Sequence, residues 1–124
     1  MRARMIIITN NPTARDAISL REDCELRYAP VSYREVLLLA RNAVHGGHKL
    51  LTHPLSGSVK PGETPYKSLA ISTGTGPLDL NSLSLIENCI QTCDKFPIRY
   101  ENLPEAILQD FQVVDSTLIQ SIFW

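Results

Sequence analysis

A histidine, two serines, a lysine and a glutamate stand within the fifteen residues Thr52-His53-Pro54-Leu55-Ser56-Gly57-Ser58-Val59-Lys60-Pro61-Gly62-Glu63-Thr64-Pro65-Tyr66. Ser56, Gly57, Ser58 and Lys60 offer hydroxyls, amides beside a glycine and a cation, a donor set suited to phosphate or carboxylate. His53 is the best candidate for proton transfer, because an imidazole titrates near neutral pH, and Glu63 could orient it. Its competing role is a bond to the loop backbone. Lys60 reads equally well as a solvated charge, and Tyr66 is better suited to packing beneath the loop than to closing over a ligand. No Gly-x-Ser-x-Gly elbow supports a serine nucleophile. Neither a Walker loop nor a Gly-x-Gly-x-x-Gly fingerprint follows the first apolar run, which disfavours classical nucleotide hydrolysis.

Two further segments could join this loop. Asn10 and Asn11 carry amides that donate and accept; Asn11 is better explained as a helix cap, leaving Asn10 for a ligand. Thr75, within Thr73-Gly74-Thr75-Gly76, could add a hydroxyl and backbone amides, although a plain turn explains that segment as well. The ligand-binding set is therefore Asn10, His53, Ser56, Gly57, Ser58, Lys60 and Thr75, with no catalytic residue assigned beyond the candidacy of His53. Cys89 and Cys93 lie four apart on one helical face and suit core packing. With Cys24 they form an odd set of thiols, reduced by default. His45, His48 and His53 are separated by Gly46-Gly47 and lack ligand spacing, so neither a metal nor a cofactor is expected.

The elements that must position these residues alternate. Met5-Ile6-Ile7-Ile8-Thr9 is a continuous apolar run of the kind a central strand shows. Asn11-Pro12 opens a short helix to about Leu20, and Cys24–Ala29 reads as a weaker strand. Ser32-Tyr33-Arg34-Glu35 has the spacing of a capping box, with Val31 and Val36 as its staple, for a helix to His45 that Gly46 or Gly47 ends. His48–Thr52 and Lys67–Thr73 are read as strands on either side of the loop. Asn81 caps a helix carrying Leu83, Leu85, Ile86, Cys89, Ile90 and Cys93. Phe96–Tyr100 is an edge strand at best, because Pro97 cannot donate to a ladder. A last helix follows Pro104 with its apolar stripe at Ile107, Leu108, Phe111, Val114 and Leu118, interrupted near Asp115-Ser116. This alternation predicts a single α/β domain over 1–124, a three-layer α/β/α sandwich with a mainly parallel sheet of about four to five strands. Ligands in such sheets gather beyond the carboxyl ends of the strands, where all three candidate loops would then emerge.

A chain of 124 residues fits one core, and a net charge of -1 with mixed signs gives no nucleic-acid or acidic-membrane surface. No apolar stretch approaches the roughly 20 residues of a membrane span, and Asn10-Asn11-Pro12 cuts short any leader-like run. A cytoplasmic location is the expectation.

Met5-Ile6-Ile7-Ile8-Thr9-Asn10-Asn11-Pro12, together with the block Leu50 to Ser68, resembles the GrdX family over nearly the whole chain. That resemblance implies an accessory role near the glycine, sarcosine and betaine reductase systems of anaerobic bacteria, without catalytic residues to carry over. The leading expectation is a binding or accessory protein that holds a small anionic metabolite at the strand-edge loop. One alternative is an enzyme using His53 as general acid or base, with the Ser/Lys loop stabilising an anion. Another is a structural subunit docking on glycine or betaine reductase components through Ile122-Phe123-Trp124. That terminus could instead fold back on the core or form a homodimer, which is the favoured reading.

Overall fold

The computed structural model describes residues 4–55 and 59–123. Strand β1 (Met5–Thr9) leads into helix α1 (Pro12–Ile18), strand β2 (Cys24–Tyr28) and helix α2 (Tyr33–His45). After a long connection come strand β3 (Ser68–Ile71) and helices α3 (Leu80–Lys95) and α4 (Glu105–Gln120), closed by a 3-10 turn at Ser121–Phe123. The strands form one three-stranded sheet in the order β2-β1-β3.

The central position of β1 follows from its side chains. Ile6, Ile7 and Ile8 are all buried, so the strand is covered on both faces. On one face Ile6, Ile8, Leu69 and Ile71 pack against α2 and α3 through Val36, Leu37, Ala40, Ile86 and Ile90. On the other, Ile7 and Ala70 pack against Ala14 and Ile18 of α1 and Ile119 of α4. Edge strand β2 alternates half-buried and exposed residues and turns Glu25 and Arg27 outward, where they pair at 2.7 Å.

The helix starts are local chemistry. Asn11 caps α1 by accepting from the Thr13 amide at 3.0 Å, with Pro12 at the first helical position. Ser32 and Glu35 close both halves of the capping box of α2, a feature that contributes about 1 kcal/mol. At the end of α2 it is Gly47, at φ +99°, that takes the left-handed conformation; a Cβ there would lie 2.3 Å from the Gly76 carbonyl oxygen. The cap of α3 is Asp79 rather than Asn81, its Oδ2 accepting from the Ser82 amide at 3.1 Å and from the Ser82 hydroxyl at 2.6 Å.

The expected mainly parallel sheet of four to five strands is not what forms. β1 and β2 are parallel, but β3 runs antiparallel to β1. The segment read as a strand at His48–Thr52 contributes a single bridge, Leu50 to Ile71, on the outer side of β3, and Phe96–Tyr100 forms no strand. The physical reason lies in the loop itself. A parallel pair needs a crossover of a dozen or more residues, usually a helix, to carry the chain back to the starting edge. The described part of the 52–67 connection contains no helix, so it turns back at the edge it left and β3 returns alongside 49–51 as an antiparallel neighbour.

Candidate functional site

The antiparallel course of β3 brings its beginning, Lys67-Ser68, to the carboxyl end of β1, where Thr9, Asn10 and Asn11 emerge. Thr9 Oγ1 lies 2.7 Å from Ser68 Oγ. Asn10 joins three segments: its Nδ2 donates to the carbonyls of Val31 at 2.9 Å and Pro65 at 2.8 Å, and its Oδ1 accepts from the Lys67 amide at 2.8 Å. Both Asn10 amide hydrogens are thereby used, so Asn10 fixes the end of the 52–66 loop and has no donor left for a ligand.

Helix α4 completes this edge with its polar face. The expected apolar stripe is turned largely outward, with Ile107, Val114 and Leu118 exposed, whereas Gln112, Asp115, Ser116 and Ile119 are buried. The helix continues unbroken through Asp115-Ser116. Hydrogen bonding accounts for the rotation. Asp115 Oδ1 accepts from the Ser68 amide at 3.0 Å; Oδ2 accepts from Ser68 Oγ at 2.6 Å and from Asn11 Nδ2 at 2.9 Å. Gln112 accepts at its Oε1 from Thr13 Oγ1 at 2.8 Å and donates from Nε2 to the Tyr66 hydroxyl oxygen at 2.9 Å. Burying those carboxylate and amide groups without partners would cost more than exposing a few aliphatic side chains.

Beside this network a narrow chamber of about 20 Å³ is lined by Tyr33, Val59, Thr64, Tyr66, Lys67, Phe111, Val114, Asp115 and Leu118. A wider cleft of about 210 Å³ shares Lys67, Asp115 and Leu118 with it and adds Thr52, Ser68, Ile119, Ser121 and Ile122. Lys67 is the unusual member. It is only 6% exposed, its Nζ stands 5.9 Å from the centre of the Tyr33 ring, and its side chain makes no hydrogen bond or ion pair with any described residue. Burial pushes its ammonium below the ordinary lysine range, an effect that the Asp115 charge partly offsets. Burial pushes the Tyr33 hydroxyl and the Cys89 thiol upward, so both are neutral at physiological pH.

The residues expected to bind a ligand are not gathered there. His53 is exposed and its Nδ1 accepts from the Leu55 amide at 3.1 Å, the local backbone role. Lys60 is exposed, and its amide donates to Glu63 Oε1 at 3.1 Å. Ser56, Gly57 and Ser58 lie outside the described residues. Thr75 follows the far end of β3 and is exposed near Gly47, whose carbonyl accepts from the Gly76 amide at 3.2 Å, at the edge opposite Asn10. The sequence reading passed over Lys67 as the first residue of a strand and Asp115 as a helix interruption. The available signal was spacing: Gln112, Asp115 and Ser116 repeat on one helical face in register with Ile119.

Among the described residues no cluster of three or more His, Cys, Asp or Glu side chains is arranged to hold a metal. No helix among the described residues is long and apolar enough to cross a membrane. No curated protein and no solved structure matches the chain. A model of the GrdX-like protein family, in contrast, matches residues 6–123, nearly the whole sequence, and the chain belongs to that family.

Proposed function

We propose that this protein is an accessory binding protein of glycine, sarcosine or betaine reductase systems, and that it holds a small anionic metabolite at the base of the strand-edge loop, with Lys67 as the cation. Family membership supports the reductase context. The observation that carries the binding role is Lys67 itself, a lysine 6% exposed on the wall of a chamber and without an acidic partner among the described residues. Desolvation of a largely buried lysine disfavours its charged form, and an anion entering the chamber would offset that cost. On this reading His53 and Lys60 belong at most to the rim. A calorimetric screen with phosphate, acetyl phosphate, glycine, betaine and acetate tests it. Binding should be lost in Lys67→Met and hold within about twofold in the double variant His53→Ala, Lys60→Ala; the reverse pattern would return the site to the loop.

A docking role has its own support in the outward turn of Ile107, Val113, Val114 and Leu118 on α4, apolar side chains of the kind that mark interaction surfaces when contiguous. The terminus is less suited to it, because Ile122 and Phe123 pack against the core and the Arg21 guanidinium covers the Phe123 ring at 3.7 Å; Trp124 lies outside the described residues. A pull-down with reductase components that fails in Val113→Asp, with ligand binding intact, would assign docking to α4; unchanged capture would remove this face from consideration.

A further inference from the structure

We infer that the anion held at Lys67 is a short monocarboxylate with an aliphatic tail, one carboxylate oxygen in the narrow chamber and its tail lying past Leu118 in the wider cleft. The inference rests on the reading that Lys67 binds an anion, and it adds charge, size and direction.

Charge comes first. Lys67 and Asp115 are the charged side chains among the described residues lining the two cavities. Tyr33 and Cys89, two further titratable groups near Lys67, are neutral at physiological pH. With Asp115 beside Lys67 the lining carries no net charge, so a monoanion adds one negative charge to the site and a sulfate or phosphate dianion adds two against the Asp115 carboxylate, which weighs against the dianion. Asp115 cannot turn to help, because its oxygens already accept from the Ser68 amide, the Ser68 hydroxyl and Asn11.

Size points the same way. The chamber, at about 20 Å³, is near the smallest volume that accepts one water-sized group. One oxygen of a planar carboxylate fits that space, while a tetrahedral oxyanion presents its oxygens in every direction. The Lys67 ammonium would supply the donors that this oxygen needs.

Direction follows from the shared wall. Leu118 borders both cavities, and beyond it the cleft of about 210 Å³ offers Ile119 and Ile122 with the hydroxyl-bearing Thr52 and Ser121 at its side. A tail of a few methylenes would remove Leu118, which is 40% exposed, from water.

Titration of the full chain with acetate, propionate, butyrate and sulfate, followed by amide chemical shifts, tests the inference. Affinity should rise by about fourfold per added methylene, the effect of burying one such group. Sulfate should bind at least about tenfold more weakly than acetate, a modest penalty for an unpaired charge. Lys67→Met should abolish binding of every carboxylate. Leu118→Ser, a change at a partly exposed site that the fold should tolerate, should flatten the chain-length series. Sulfate binding as tightly as acetate, or a series flat in the wild type, would overturn the monocarboxylate assignment and leave anion binding at Lys67 standing. Carboxylate binding unaffected by Lys67→Met would overturn both.

Discussion

Lys67 makes the stability of this protein depend on pH in a calculable direction. Burial holds its folded value beneath the ordinary lysine value of 10.5, so in the window between the two the unfolded chain keeps a proton that the folded chain has released. Through that window Lys67 contributes a rise in stability with pH; below it, the buried ammonium lowers stability. Tyr33 and Cys89 act in the opposite sense above their ordinary values of 10.0 and 9.0, because burial raises both. Urea unfolding of wild type and Lys67→Met in parallel separates these effects. The variant should be the more stable at neutral pH, and its advantage should shrink as pH approaches 10.5. An advantage that grows with pH would mean that the lysine is paired in the folded protein. Asp115 has a different role, since it is the acceptor for three donors from β3 and the end of β1. Asp115→Asn puts an NH2 group where one of those oxygens accepts, and should cost about 2–3 kcal/mol in the same unfolding measurement, the magnitude of a buried polar group left unsatisfied.

Elements were legible in the sequence where their signals are local. The cap at Asn11-Pro12 and the Ser32/Glu35 box depend on residues three apart or fewer, and both form as their spacing implies. Asp79 was passed over for Asn81 because both are good caps and the choice turns on where the chain leaves the preceding turn. Asp79→Ala should therefore cost about 1 kcal/mol, and Asn81→Ala, at an exposed position within the helix, should be close to neutral. Helix α4 shows where a pattern misleads. Its aliphatic residues have a helical period, yet the face that docks is chosen by hydrogen bonds to Asn11, Thr13, Tyr66 and Ser68, partners at least 46 residues away. Nothing within the helix announces them. Gly62 has a comparable long-range constraint at φ +90°, where a Cβ would lie 2.2 Å from the Pro97 carbonyl oxygen while the Gly62 carbonyl accepts from the Arg99 amide at 2.7 Å. Gly62→Ala should detach the loop from residues 97–99, read as accelerated exchange of the Arg99 amide.

At the scale of the molecule, the alternation of elements identified an α/β domain, but strand direction depended on what the connection lacked. The run Lys67–Thr73 was apolar enough to read as a strand; its direction required noticing that residues 52–66 hold no helical pattern to carry a crossover. The candidate site shifted with that direction. Thr75 went to the far edge, and Lys67 arrived at the near one. His53, Lys60 and Glu63 are exposed, while the lysine and aspartate that border the cavities come from positions that look like strand and helix interior.

The bond from Asn11 to Asp115 spans 104 residues, and the bonds from Ser68 to Asp115 span 47. Contacts of such separation are expensive in chain entropy and form late on the route to the native state. The pairing of 49–51 with β3, closed over a much shorter separation, should form earlier than the contacts of Asp115 with Ser68 and Asn11. The chamber should therefore be among the last features to assemble. A compact intermediate with its helices and sheet in place would still lack it, so ligand binding during refolding would mark the final step, lagging behind the recovery of far-ultraviolet circular dichroism.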